Sequence, residues 1–229
     1  MGIISKAIGI TGWSALGAAS TFVALTRKNT ILPVPANDYI FNSSLFARYN
    51  PYNSPVTQDL CLRKVPLSQI KPECLEKEGV LAEKFCAGVW SGLGYAYQRH
   101  FLEKKYRGPD TAGHLWDREE LRQSKYEVGT LITDHFEVVS KTPESIIVRC
   151  GDSPRIKDAR ESDGLFEMTA VVKKDEGVAE FGLKSVFYNG LNGYKSGSAA
   201  GPMPSHVQWL HQQYDKVLME SALGNVTKQ

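Results

Sequence analysis

The chain has almost no excess charge, few cysteines and no signature of a known reaction. Its 27 Lys and Arg against 25 Asp and Glu leave a formal charge of +2, with the basic residues scattered among the acidic ones. Neutralising a run of phosphates takes a clustered basic excess, so nucleic acid is excluded as a partner. Cys61, Cys74, Cys86 and Cys150 are far apart, with no C-x-x-C and no histidine at a zinc-ligand spacing. They read as free, buried thiols of a reduced compartment. Two disulfides stay open if the chain enters the secretory pathway, where the sequons at Asn42 and Asn225 would also be used. Gly-x-Ser-x-Gly is absent, since Gly193-Tyr194-Lys195-Ser196-Gly197 places its serine one position late, and this excludes the usual hydrolase elbow. Gly92-Leu93-Gly94 lacks the third glycine of a dinucleotide fingerprint, and no strand feeds it. The five histidines, His100, His114, His135, His206 and His211, include no i, i+4 pair with a glutamate between, so neither a metal nor an organic cofactor is expected.

No long, purely apolar run is present either. Ala7 to Leu25 is uncharged over about 19 residues, long enough to cross a bilayer as a helix, but Gly9, Thr11, Gly12, Ser14, Gly17, Ser20 and Thr21 dilute it. Two readings stand: a membrane anchor or targeting segment, or an Ala/Gly-rich helix that packs on the domain. The expected location is cytoplasmic, with membrane association through residues 7–25 as the alternative.

What is there is enough apolar material for one core: 229 residues, 42% hydrophobic and 23% charged. Residues 1–28 read as an N-terminal hydrophobic helix, 29–55 as an irregular connector, and 56–229 as a single ligand-binding domain. The connector carries Pro33, Pro35, Pro51 and Pro55, yet Tyr39, Ile40, Phe41, Phe46 and Tyr49 between them predict that it wraps on the body of the domain.

Val56 to Val65 reads as a strand with Leu60 and Leu62 in one register. From Leu81 to Tyr106, Phe85, Val89, Trp90, Leu93, Tyr97, Phe101 and Leu102 recur at helical spacing, which predicts one central helix or two joined near Gly92 and Gly94. Each glycine weakens a helix by roughly 1 kcal/mol relative to alanine, so close approach of a neighbouring element should compensate. Glu127–Val139 alternates as a strand, and Ile146, Val148 and Cys150 continue on the next. Phe166, Met168, Ala170 and Val172 form the clearest buried face; after the turn Asp175-Glu176-Gly177, Ala179, Phe181, Leu183, Ser185 and Phe187 share another. Glu167 is expected to pair with Lys184 or Arg149 on the surface, worth under ~1 kcal/mol. The Gly/Ser/Asn-rich loop from Asn189 to Gly201, with Tyr194 and Lys195, lies where a gate would be. A terminal amphipathic helix follows from Pro204 to about Asn225, with Ser205 as N-cap and Val207, Leu210, Tyr214, Val217, Leu218 and Ser221 as its stripe.

These elements predict an α+β fold, a curved antiparallel sheet packed against a long C-terminal helix with an additional central helix. Over Val56 to Gln229 the order resembles the helix-grip or START/polyketide-cyclase-like proteins, in which sheet and helix enclose a hydrophobic ligand. The stretches Asp134-His135-Phe136-Glu137-Val138-Val139, Val148-Arg149-Cys150-Gly151-Asp152-Ser153-Pro154 and Ser162-Asp163-Gly164-Leu165-Phe166-Glu167 are also similar to small fungal proteins found among natural-product genes. The resemblance brings no catalytic residues with it.

The acid–base candidates are His135 with Asp134, Asp152, and His211 with Tyr214, because a greasy cavity shifts such groups into a useful range. Trp90, Tyr97, Phe166, Met168, Phe181, Trp209 and Tyr214 are the candidate substrate-binding residues. The expected activity is a cyclase or isomerase without cofactor, acting on a hydrophobic polyketide or terpenoid, with a Diels–Alder type of closure fitting because it needs shape and few side chains. The alternatives are a lipid or hydrophobic-ligand carrier, tethered to a membrane or not, and a scaffold with a filled core. Nothing in the sequence sets the oligomeric state.

Overall fold

The computed structural model describes residues 20–192 and 201–228. Strand β2 (Thr57–Pro66) pairs antiparallel along its length with β7 (Val178–Tyr188), so the first long strand and the last lie side by side. Around them run β1 (Thr30–Leu32), β6 (Asp163–Lys173), β5 (Ser145–Gly151), β4 (Phe136–Lys141) and β3 (Leu131–Ile132), in the order β1-β2-β7-β6-β5-β4-β3. The sheet is antiparallel throughout, curled and unclosed, with β1 and β3 as its edges. Apart from five short 3-10 turns and a helical stretch at residues 20–26, the helices are α1 (Ser44–Tyr49), α2 (Val80–Ser91), α3 (Leu93–Tyr106), α4 (Arg118–Gln123) and α5 (Ser205–Val226). The α+β, helix-grip-like architecture expected from the sequence is the one observed.

On the concave side, α2 and α5 supply the main core with Phe85, Cys86, Val89, Trp90, Leu218, Met219 and Ala222. Helices α2 and α3 are separate because Gly92 is extended (ψ 171°). A Cβ there would lie 2.1 Å from Ser221 Oγ, and the Gly94 amide donates to that same oxygen at 3.1 Å. Ser221 on α5 therefore caps α3, whose own N-cap residue has no side chain, and glycine is what lets it come close. Gly88 and Gly94 meet Ala222 and Leu218 in the same way. Close packing of helices is the compensation these glycines needed.

On the convex side the connector covers the sheet: Ile40, Phe46 and Tyr49 bury Ile147, Leu165, Val186 and Tyr188. Here the expectation of a weak surface ion pair is corrected. Glu167 and Lys184 are both buried and lie 2.8 Å apart; Lys184 also reaches Asp38 at 2.9 Å, and the Tyr39 hydroxyl donates to Glu167. Arg149 pairs instead with Asp163, bidentate at 2.9 and 2.6 Å, beneath the ring of Tyr49.

Three further expectations shift. In β2 the buried positions are Thr57, Asp59, Cys61 and Val65, while Leu60 and Leu62 are half-buried, so the register is the opposite one. Apolarity misled there because an aspartate occupies an inward position. Glu127–Val139 is not one strand: Thr133 and Asp134 adopt positive φ (46° and 56°) and turn the chain between β3 and β4. In α5 the stripe is rotated, with Asp215, Leu218, Met219, Ala222, Leu223 and Val226 buried and Val207, Trp209 and Leu210 exposed; Ser205 is the first helical residue rather than its cap. All four cysteines are buried and free. The gate residues Tyr194 and Lys195, and the apolar run before Ser20, lie outside the described residues. Among the described residues no helix is long and apolar enough to cross a membrane.

Candidate functional site

A cavity of about 340 Å³ lies between the concave face of the sheet and helices α3 and α5, at the lower end of the range of ligand pockets. Its walls are largely aromatic: Trp90 packs against Tyr95 (5.0 Å between ring centroids), Phe136 (4.7 Å) and Phe166 (6.1 Å). Phe187 and Leu218 extend the apolar lining.

Polar groups converge on this lining from one strand pair and one helix. Ser185 on β7 and His211 and Asp215 on α5 border the cavity, and Asp59 comes in from β2, the neighbour of β7. His211 and Asp215 are one helical turn apart, which puts both side chains on one face. Nδ1 of His211 is 3.3 Å from Oδ2 of Asp59 and 3.3 Å from Oδ2 of Asp215. Asp59 and Asp215 are each 1% exposed. Neither His211 contact has the direction of a hydrogen bond, and Asp59 Oδ1, both Asp215 oxygens, His211 Nδ1 and Ser185 Oγ have no hydrogen-bond partner. Burial pushes the Asp215 carboxyl well above its usual range, and the adjacent Asp59 carboxylate pushes it the same way. The ring of His211 is held edge-on to Phe187, 5.0 Å between centroids. The Asp59, His211 and Asp215 ligand atoms all lie within 4.8 Å of one another, a donor set that fits a metal ion. The expectation of no metal rested on His–His and Cys–Cys spacings; this set joins a strand to a helix and leaves only His211-x-x-x-Asp215 as a trace in the sequence.

Of the residues singled out from the sequence, Trp90, Phe166, Tyr214, His135 and His211 line the cavity. Tyr214 donates its hydroxyl to Gln98 Oε1 at 3.0 Å, and burial raises its pKa. His135 sits beside β4, three strands from β7; its Nδ1 is 3.2 Å from the Thr133 carbonyl, it packs on Tyr106, and burial lowers its pKa. The other residues stand elsewhere. Asp134 accepts from Ser153 Oγ (2.8 Å) and Arg155 (3.1 Å), pinning the loop after β5 to the β3–β4 turn. Asp152 accepts from the Ser162 amide at 3.1 Å and closes that loop. Met168 and Phe181 belong to the core, Phe181 against Phe85 at 4.8 Å. Tyr97 is 86% and Trp209 59% exposed, outside the cavity. Missed from the sequence were Asp59, Asp215 and Ser185 as site residues, although Ser185 was placed on the correct face.

A larger groove of about 670 Å³ runs between residues 22–26 and the α2–α3 junction. Its charged groups are already engaged: Arg118 with the Ser91 carbonyl, Lys71 with the Asn225 carbonyl, Glu220 with Arg63 and Arg122 with Glu119 at 4.0 Å. It presents no cluster of buried, unpartnered polar atoms comparable to that beside Asp215.

Comparison with known proteins finds no counterpart: no protein-family model matches the chain, and neither a curated protein nor a solved structure matches it.

Proposed function

We propose that the protein takes a hydrophobic small molecule into the aromatic cavity and isomerises or cyclises it without an organic cofactor. The walls fold a polyketide- or terpenoid-like chain into a reactive conformer, and the polar groups beside Asp215 polarise a carbonyl or move a proton. A pericyclic closure of the Diels–Alder type suits such a site, since holding the ends together can supply about 7–11 kcal/mol of its barrier with few catalytic side chains.

One observation carries this reading: an apolar cavity bordered by buried polar atoms that have no partner. A buried polar group costs roughly 1–3 kcal/mol when unsatisfied, and more when charged. A carrier of inert lipid gains nothing from that cost, and a scaffold would fill the cavity. A site whose polar atoms await a reacting oxygen or proton has a use for it.

The test begins with native mass spectrometry of protein purified from its own host, to identify a co-purifying small molecule. That compound or its precursor is then incubated with the protein and followed by chromatography. Conversion to an isomer of equal mass, lost in Asp215→Asn, is the expected result. Release of the compound unchanged assigns the protein as a carrier instead.

A further inference from the structure

The two buried carboxylates beside His211 pose a charge problem that the protein's own cations leave open. Among the described residues no lysine or arginine forms an ion pair with Asp59 or Asp215; Arg63, four residues further along β2, is committed to Glu220 and Asn29. His211 offers at most one positive charge to two acids, and its Nδ1 is equally far from both. An imidazolium would turn towards one carboxylate and donate to it; this nitrogen donates to neither.

From this geometry we infer that Asp59, His211 and Asp215 bind a divalent transition-metal ion of the zinc class. Zinc binds nitrogen and carboxylate oxygen at about 2.0–2.2 Å, and the edges of such a tetrahedron are about 3.3–3.6 Å long. The two N···O separations of 3.3 Å are those of two ligands sharing one ion, and a long, misdirected hydrogen bond is what they would otherwise be. One imidazole and two carboxylates, with neither sulfur nor a ring of many oxygens, suit zinc, cobalt, iron or manganese better than calcium. A strand and a helix supply the set: Asp59 from β2, and His211 and Asp215 one turn apart on α5, the i, i+4 arrangement that places two ligands on one helical face.

Three protein ligands leave a fourth position, and two of the three, His211 and Asp215, line the cavity, as expected of a catalytic rather than a structural zinc site. Ser185 Oγ, buried and without a partner, is on the same stretch of wall and is placed to hold a water or substrate oxygen next to the ion. The role of the ion rests on the isomerase reading given above: it polarises a substrate carbonyl, as a Lewis acid, and adds a charge that templating alone lacks. Its binding does not rest on that reading.

Full-length protein purified from its own host is analysed for metal content, then treated with chelator and titrated with cobalt(II). One equivalent of zinc, cobalt, iron or manganese in the first measurement is expected, and in the second a saturable visible absorption of four- or five-coordinate cobalt, abolished by adding zinc. Asp59→Asn and Asp215→Asn, verified as folded by circular dichroism, should each weaken cobalt binding by at least tenfold, while Glu220→Gln should not. Absence of stoichiometric binding, or binding that survives both substitutions, overturns the proposal and leaves the two acids sharing a proton. Turnover that persists in chelated protein overturns the Lewis-acid role and leaves the binding to be decided by the cobalt titration; cobalt binding without any turnover upholds the ion and overturns the isomerase.

Discussion

Asp59 on β2 and Asp215 on α5 lie within 3.3 Å of the same nitrogen, Nδ1 of His211, in a region from which solvent is nearly excluded. Two acids so placed weaken the fold near neutral pH, because burial and the Asp59 carboxylate raise the pKa of Asp215, so that folding must either take up a proton for the pair to share or bury a second charge. In metal-free buffer near neutral pH, Asp215→Asn, which needs no proton to be neutral, is therefore expected to raise stability by about 1–3 kcal/mol. Urea unfolding in the presence of chelator measures it. A fall in stability would mean that the carboxylate is satisfied in the folded protein.

Trp90 and Tyr214 both line the cavity, but they are held differently. Trp90 is 2% exposed and touches three other aromatic rings, so Trp90→Ala should cost about 3–5 kcal/mol and lower the yield of folded protein. Tyr214 is half-buried and spends its hydroxyl on Gln98. Tyr214→Ala should keep the fold and lose affinity for the cavity's ligand. Thermal unfolding beside a binding titration separates the two; equal losses of stability would place Tyr214 in the core as well.

The sequence showed the architecture because the architecture is written in periodicity. β6 and β7 are 11 residues each and alternate apolar with polar or small residues over Phe166–Ala170 and Ala179–Lys184, and a helix of 22 residues follows. The site was harder to read for the same reason. Asp59 occupies an inward position of β2, and a register chosen by apolarity turns it outward together with Cys61. Asp215 escapes a reading by periodicity because an apolar stripe through Val207 and Leu210, which are exposed, leaves it off the inferred buried face. A functional strand or helix breaks its own hydrophobic pattern where polar atoms must face the cavity, and the break shifts the inferred face. The glycines fared better: Gly88, Gly92 and Gly94 signalled a close neighbour, and α5 is that neighbour.

That signal gives a direct test at Gly88. A Cβ there would come 2.5 Å from the Ala222 carbonyl oxygen and 2.9 Å from its Cα, both backbone atoms of α5. Alanine improves helix propensity by about 1 kcal/mol, but overpacking of a rigid interface typically costs about 1–3 kcal/mol and displaces the helix. The net expectation for Gly88→Ala is destabilisation, read by chemical denaturation. Since α5 carries His211 and Asp215, the ligand affinity of the cavity should fall too. Gly224→Ala, where a Cβ meets nothing within 4 Å, is the control, and its stability should not fall.

Lys184 tests the clamp on the convex face. It lies 2.8 Å from Glu167 and 2.9 Å from Asp38, and it stands over the ring of Tyr39. Lys184→Met leaves Glu167, 1% exposed, without its cation, and breaking a buried pair from one side costs about 3–5 kcal/mol. The double variant Lys184→Met with Glu167→Gln should recover part of that loss. No recovery in a double-mutant cycle would show that the two residues act independently.

His114 gives the fold a dependence on pH that can be isolated. The ring is buried and stacked on Trp116, and its Nδ1 accepts the Asp134 amide at 3.1 Å, so the folded protein holds it neutral. Burial lowers its pKa below 6.5; the Asp134 carboxylate opposes that, and Arg155 and Lys157 reinforce it. With the folded value depressed, the unfolded chain takes the proton first as pH falls. The stabilisation is complete above the unfolded pKa, and it is lost as pH drops through about 6.5 towards the folded value. His114→Asn keeps an acceptor for the amide and cannot be protonated in this range. Unfolding free energies of both proteins between about pH 7.5 and 5 should converge on acidification, the wild type losing more. His135, shifted in the same direction by burial, is common to both proteins and cancels in the difference. Parallel curves would show that the imidazole is protonated in the folded state with no penalty, and the amide bond to its Nδ1 could not then be the contact that sets its charge.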